Sequence, residues 1–89
     1  MVGSCLGVAV VGCGLIGHKR ANALGGARLV ACADVALDRA QALAKTVHGA
    51  LATADWHAAI ERDDVDIVIV STTNNALAEI TLAAVQAGK

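Results

Sequence analysis

"VAVVGCGLIGHKR", residues Val8 to Arg20, runs as an apolar stretch into three glycines, Gly12, Gly14 and Gly17, and then turns basic. The run from Leu6 to Val11 suits a strand buried on both faces. Gly17 to Leu24 reads as a helix, which Gly25-Gly26 ends. Glycines between a buried strand and a helix have three separate uses. Gly12 permits a sharp change of direction, and Gly14 leaves a bare backbone that a pyrophosphate can approach closely. Gly17 lets the helix lie tightly against the strand. The N-terminal end of that helix, which Leu15 and Ile16 lead into, turns N–H groups and a partial positive charge toward the anion.

The rest of the chain alternates in the same way. Leu29 to Ala33 is a second apolar run, closed by Asp34. Leu37 to Val47 is amphipathic: Leu37, Ala40, Ala44 and Val47 fall on one side, Asp38, Gln41 and Lys45 on the other. A short strand is expected around Ala50-Leu51. Thr53 or Asp55 then caps a helix reaching about Arg62. "DIVIVS", Asp66 to Ser71, is a third strong strand, and Ala76 to Ala87 a final helix with Gly88 as a left-handed cap. Strand and helix in alternation, without a hairpin signal, predict an α/β fold: a Rossmann-like, doubly wound parallel sheet of roughly four strands, incomplete at its end. Residues 1–5 are a lead-in and 6–89 a dinucleotide-binding domain on this reading. The last helix stops where a crossover would feed another strand, so the chain reads as part of a longer one.

Asp34 sharpens the functional expectation. It ends the second strand, seventeen positions beyond Gly17 and twenty-two beyond Gly12. A carboxylate about 20 residues past such a glycine turn accepts hydrogen bonds from the adenosine ribose and repels a 2′-phosphate, which favours NAD over NADP. Arg39, one helical turn later, is the residue type that neutralises a 2′-phosphate, although a solvated helix position explains it equally. The loop Ser71-Thr72-Thr73-Asn74-Asn75 follows the third strong strand, at the sheet edge where open α/β folds bind ligands. Thr72 and Asn74 are its expected cofactor contacts, while helix capping accounts for the same residue types. The cofactor-binding set is therefore Gly12, Gly14, Leu15, Ile16, Gly17, Asp34, Thr72 and Asn74.

Composition removes other classes. The 89 residues are 56% hydrophobic, with Trp56 the single aromatic and a net charge of −1. Neither the charge nor His18-Lys19-Arg20 provides a phosphate-backbone footprint, so nucleic acid and anionic membrane are not expected partners. Cys5, Cys13 and Cys32 form no C-x-x-C pair and read as reduced, small buried residues. No Lys or Arg precedes Lys19, which argues against a secretory signal and for a cytoplasmic location. His48 reads as a helix-end residue, Trp56 and His57 as helix residues with Trp56 in a packing role, and Asp63, Asp64 and Asp66 as a solvated turn. No His/Cys/Asp set has metal-ligand spacing.

Three segments, "VAVVGCGLIGHKRANAL" (8–24), "LVACADVALDRAQALA" (29–44) and "DVDIVIVSTTNNALAEITLAAVQAGK" (64–89), resemble the cofactor domain of the Gfo/Idh/MocA oxidoreductases, relatives of glucose–fructose oxidoreductase and inositol 2-dehydrogenase. The resemblance spans nearly all of Gly7 to Lys89. It departs at Thr73, where many members carry proline, and at Ala78, where many carry histidine. It implies an oxidoreductase moving hydride between nicotinamide and a sugar- or polyol-type alcohol. It also implies a homo-oligomeric parent, whose Glu-Lys-Pro motif and substrate domain follow the lysine that Lys89 matches. No catalytic residue is then expected within these residues, and the chain binds cofactor without turnover. A non-catalytic dinucleotide sensor and a nucleotide-sugar or S-adenosylmethionine binder are the competing expectations, since each uses a similar glycine turn.

Overall fold

The sheet runs in the order β3-β2-β1-β4, with every neighbouring pair parallel. The computed structural model describes residues 6–72 and 76–89. Along the chain these are β1 (Gly7–Val11), α1 (Leu15–Ala21), β2 (Arg28–Ala33), α2 (Leu37–Ala44), β3 (Leu51–Thr53), α3 (Trp56–Ile60), β4 (Ile67–Val70) and α4 (Ala76–Gln86). The path steps outward from β1 to β2 and β3, then returns to place β4 on the other side of β1. The direction of winding therefore reverses between β1 and β4. Beyond the carboxyl ends of strands at such a reversal lies the crevice where open α/β sheets bind ligands.

Side-chain alternation along β1 builds the two layers. Val8 and Val10 face a core shared with Cys32, Ala40 and Leu43, with Ala21 of α1 packed against it. Ala9 and Val11 face the opposite core, with Ala59, Ile60, Ile80 and Ala84. Helices α1 and α2 thus cover one face and α3 and α4 the other, which is the doubly wound Rossmann-like arrangement. Full burial of Ile60 and Ile80 stabilises the second layer by roughly 1.5–3 kcal/mol each. Ala at positions 9, 31 and 33 keeps helices close to the sheet, as the aromatic-poor composition implies.

Several helix ends differ from expectation for local reasons. The first helix starts at Leu15, capped by Gly14 in an extended conformation, so Gly17 lies inside it. It stops at Ala21 because its last turn tightens: the Ala23 N–H donates to Arg20 O at 3.1 Å, a three-residue bond. The second helix ends at Ala44 in the same manner, with the Thr46 and Val47 N–H groups bonded to Leu43 O and Ala44 O. Asp55, and not Thr53, caps α3; its carboxylate accepts the His57 N–H at 3.0 Å. The helix it starts ends at Ile60, short of Arg62. The short strand lies at Leu51–Thr53, one residue later than expected. Asp66 and Ser71 flank β4 and are not part of it, but both serve the sheet: the Asp66 carboxylate accepts the Gly7 N–H at 2.8 Å and the Ser71 N–H donates to Val11 O at 2.7 Å. Gly88 has φ +81°, in the left-handed region expected of a cap.

Candidate functional site

The bend after β1 is built from what glycine lacks. Gly12 has φ +97°, and a Cβ there would stand 2.8 Å from the Ser71 carbonyl carbon at the end of β4. Its N–H donates to Ala33 O at 2.8 Å, tying the bend to β2. A Cβ on Gly17 would overlap the Gly12 carbonyl oxygen, so α1 rests directly on the bend. Gly14 is different. Among the described residues nothing lies within 4 Å of where its Cβ would be. Two of the three glycines are thus required by the protein's own packing, and the third by none of the described residues.

Asp34 leads from β2 into the same region. One carboxylate oxygen accepts the Cys13 N–H at 2.8 Å and the other the Ala36 N–H at 2.9 Å. The acid therefore braces the glycine bend against the turn after β2. Each carboxylate oxygen has a second acceptor site, so this bracing does not exhaust it. Beneath it Cys13 and Cys32 are buried, free thiols. Hydrogen bonding with Cys32, together with burial and the nearby Asp34 carboxylate, pushes the Cys13 thiol well above its ordinary range. Cys13 is thereby held as a neutral thiol that donates to Ala33 O at 3.3 Å.

A crevice of about 340 Å³ joins these parts. It is lined by Gly12 and Gly14 after β1, Asp34, Val35 and Arg39 after β2, Ala54 and Trp56 after β3, and Ser71 and Thr72 after β4. The Ser71 and Thr72 hydroxyl oxygens are buried and have no hydrogen-bond partner among the described residues. A buried hydroxyl without a partner carries a desolvation penalty, which a polar ligand in the crevice relieves. No His or Lys lines the crevice among the described residues. Gly12, Gly14, Asp34 and Thr72 are brought together as the spacing suggested. Leu15 and Ile16 begin α1, and Gly17 supports the bend from behind. Asn74 lies outside the described residues. The sequence reading missed Val35, Ala54 and Trp56; the signal was the position of Trp56, immediately after the residue that caps a helix following β3.

Comparison with known proteins turns this geometry into a family assignment. The oxidoreductase family with an NAD-binding Rossmann fold, GFO_IDH_MocA, matches residues 6–89. The chain belongs to the Gfo/Idh/MocA oxidoreductases. An inositol 2-dehydrogenase of Salmonella typhimurium is 40% identical over 85 residues, covering 90% of this chain and 25% of that protein. Among solved structures, the myo-inositol dehydrogenase of Lactobacillus casei in complex with NAD(H) and myo-inositol superposes with a TM-score of 0.83 at 25% identity. That match covers 93% of this chain and 26% of the other. A 3-ketoreductase from Actinomadura kijaniata, in complex with TDP-benzene and NADP, gives 0.83 at 32% identity over 97% of this chain and 28% of its own. This Gfo/Idh/MocA chain thus spans about a quarter of the length of the proteins it resembles. Among its described residues no group of His, Cys, Asp and Glu is placed to hold a metal, and no helix is long and apolar enough to cross a membrane.

Proposed function

We propose that this chain is the NAD-binding part of an inositol-dehydrogenase-like enzyme that transfers hydride between nicotinamide and an alcohol carbon of a polyol. The observation that carries the reading is one crevice bordered by the open backbone at Gly14, the Asp34 carboxylate and the unpartnered Ser71 and Thr72 hydroxyls. Backbone N–H groups at the bend and the start of α1, those of Leu15, Ile16 and Gly17 included, would hold the diphosphate. The spare acceptor sites of Asp34 would take the adenosine ribose hydroxyls, and Thr72 and Asn74 would contact the cofactor from the β4 side. The bound nicotinamide supplies the hydride acceptor or donor. The crevice's own groups suit binding rather than proton transfer, since its carboxylate already accepts two N–H groups. The acid–base residues for the alcohol are accordingly assigned outside these residues.

Asp34 decides the cofactor in this proposal, because a 2′-phosphate beside it would meet a negative charge. Calorimetric titration of the chain is expected to give at least tenfold tighter binding of NAD than of NADP. Asp34→Asn keeps one acceptor for a bracing N–H but removes the charge, and the preference is expected to shrink severalfold. Equal affinities of the unaltered chain for the two cofactors would overturn the assignment, with Arg39 then the residue compensating the extra phosphate.

A further inference from the structure

Cys13 and Cys32 are buried nucleophiles that the cofactor reading leaves without a task. Cys13 stands between Gly12 and Gly14 in the bend, and Cys32 lies on β2, two residues before Asp34. Both side chains belong to the core layer under α1 and α2, where Cys13 is 2% and Cys32 0% exposed. The Cys13 Sγ lies 3.9 Å from Val10 O, and Val10 is the β1 residue that pairs with Cys32. It lies 3.3 Å from the carbonyl oxygen of Ala33, the residue after Cys32. The two cysteine side chains hydrogen-bond to each other, and both thiols are free. The sequence alone reads them as reduced packing residues; the structure sets them against one another directly under the glycine bend.

We propose that this pair is an oxidative modification site: hydrogen peroxide converts the two thiols into a Cys13–Cys32 disulfide, which withdraws the glycine bend from the cofactor. The proposal rests on the dinucleotide reading and adds a regulation of that same site. Cys32 is the attacking group, because its hydrogen bond with Cys13 lowers its pKa, whereas Cys13 is held neutral. The Cys32 sulfur attacks one peroxide oxygen, the O–O bond breaks, and a sulfenic acid forms with release of water. The Cys13 sulfur then attacks the Cys32 sulfur, the S–O bond breaks, and the Cys13 proton leaves with the hydroxide as a second water. In sum each sulfur gives up one electron and the peroxide takes both. Access runs through the bend. Cys13 is flanked by two glycines that have no side chain to shield it, and the bend is fastened to β2 by the Gly12 N–H on Ala33 O and the Cys13 N–H on Asp34. Opening of these bonds bares the sulfur, and a dinucleotide seated on the bend opposes that opening. A disulfide holds its sulfurs at about 2.05 Å, well inside the separation of hydrogen-bonded thiols. Closing it draws Cys13 toward β2, and the Cys13 N–H that Asp34 accepts moves with it. The phosphate-facing backbone and the ribose acid are thereby displaced together.

The test uses a Cys5→Ser chain, in which Cys13 and Cys32 are the remaining cysteines. Peroxide treatment is expected to remove the mass of two hydrogens from the monomer, and a non-reducing peptide map to show the Cys13–Cys32 crosslink. By calorimetry, NAD affinity is expected to fall by about tenfold or more and to return with dithiothreitol. Saturating NAD during the treatment is expected to slow crosslinking by about tenfold or more, since a modification that weakens a ligand is opposed by that ligand. Cys32→Ala in the same background is expected to bind NAD equally well before and after peroxide. Should that variant fail to fold, as judged by circular dichroism, the crosslink and its reversal in the Cys5→Ser chain decide alone. Thiols that remain free after peroxide, counted by alkylation of the unfolded chain, would overturn the site. Sulfinic acid without a crosslink, or a loss of affinity that dithiothreitol does not reverse, would overturn it too. A crosslinked chain that binds NAD unchanged would overturn the regulation while leaving the dinucleotide reading intact. A reduced chain that binds no NAD would defeat the dinucleotide reading, and the regulation with it.

Discussion

Gly14 and Gly17 stand three residues apart and answer to different demands. A methyl group on Gly17 would collide with the Gly12 carbonyl, which is backbone and cannot swing aside. Overpacking of this kind costs about 1–3 kcal/mol, so Gly17→Ala is expected to lower the melting temperature clearly. Gly14 has open space around its Cβ direction and an ordinary backbone, with φ −80°. Gly14→Ala is therefore expected to cost less, on the order of 0.5–1 kcal/mol, because Gly is the better N-cap. NAD affinity is expected to fall at least tenfold all the same, since the methyl would occupy the approach to the bend. Thermal denaturation and calorimetry on both variants check the contrast; a Gly14→Ala chain that melts early and binds normally would refute it. The sequence spacing already distinguished the three glycines, because each use follows from the strand–turn–helix context. It did not reveal that the Asp34 carboxylate holds the Cys13 N–H. That bond joins residues twenty-one positions apart, and only the packing of β2 beside β1 brings them together.

Among the elements, β1, β2 and α4 were the most legible, because their apolar runs are long relative to the noise of local preference. Shorter pieces depended on contacts that no local window contains. In β2, Val8 of β1 faces Leu29 while Ala9 faces Ala31, so Val30 is an extra residue and the register slips there. Nothing in "LVACA" marks that bulge, since every residue in it is apolar and any register would be buried. The strand order was equally hidden, because the sequence records alternation and not adjacency. The cap of α3 was narrowed to two residues and resolved by geometry: Thr53 accepts the Asp55 N–H at 3.0 Å, while Asp55 accepts the His57 N–H. This five-residue helix has little length of its own to sustain it, so its first turn depends on that carboxylate. Asp55→Ala is expected to cost about 1 kcal/mol of stability in chemical denaturation, and Asp55→Asn much less, because Asn still presents an accepting oxygen. Equal losses from the two variants would mean that the cap bond contributes nothing beyond the charge.

Over the whole molecule, the burial of the sheet is lopsided. The residues of β1 are all buried, whereas Ile67 of β4 is 38% exposed and Val68 to Val70 are only half-buried. Among the described residues β4 pairs with β1 alone, so its outer edge keeps backbone groups open to a further strand. The helix packed over that side adds to the imbalance, with Leu82 at 59% and Val85 at 64% exposure standing one helical turn apart on α4. An apolar strand edge and an apolar helix surface on the same side form a patch that water does not favour, and identical patches on two molecules can cover one another. The net charge of −1 supplies little repulsion to oppose the encounter. The 89-residue chain is therefore expected to associate as its concentration rises, visible as an increasing average mass in sedimentation equilibrium. Replacing Leu82→Glu and Val85→Lys together places an oppositely charged pair on the exposed surface without touching Ile80 or Ala84, the buried residues of the same helix. The double variant is expected to fold as before and to shift association to severalfold higher concentration. A chain that stays monomeric throughout the range, or a double variant that associates just as readily, would place the cohesive surface somewhere other than the β4 side.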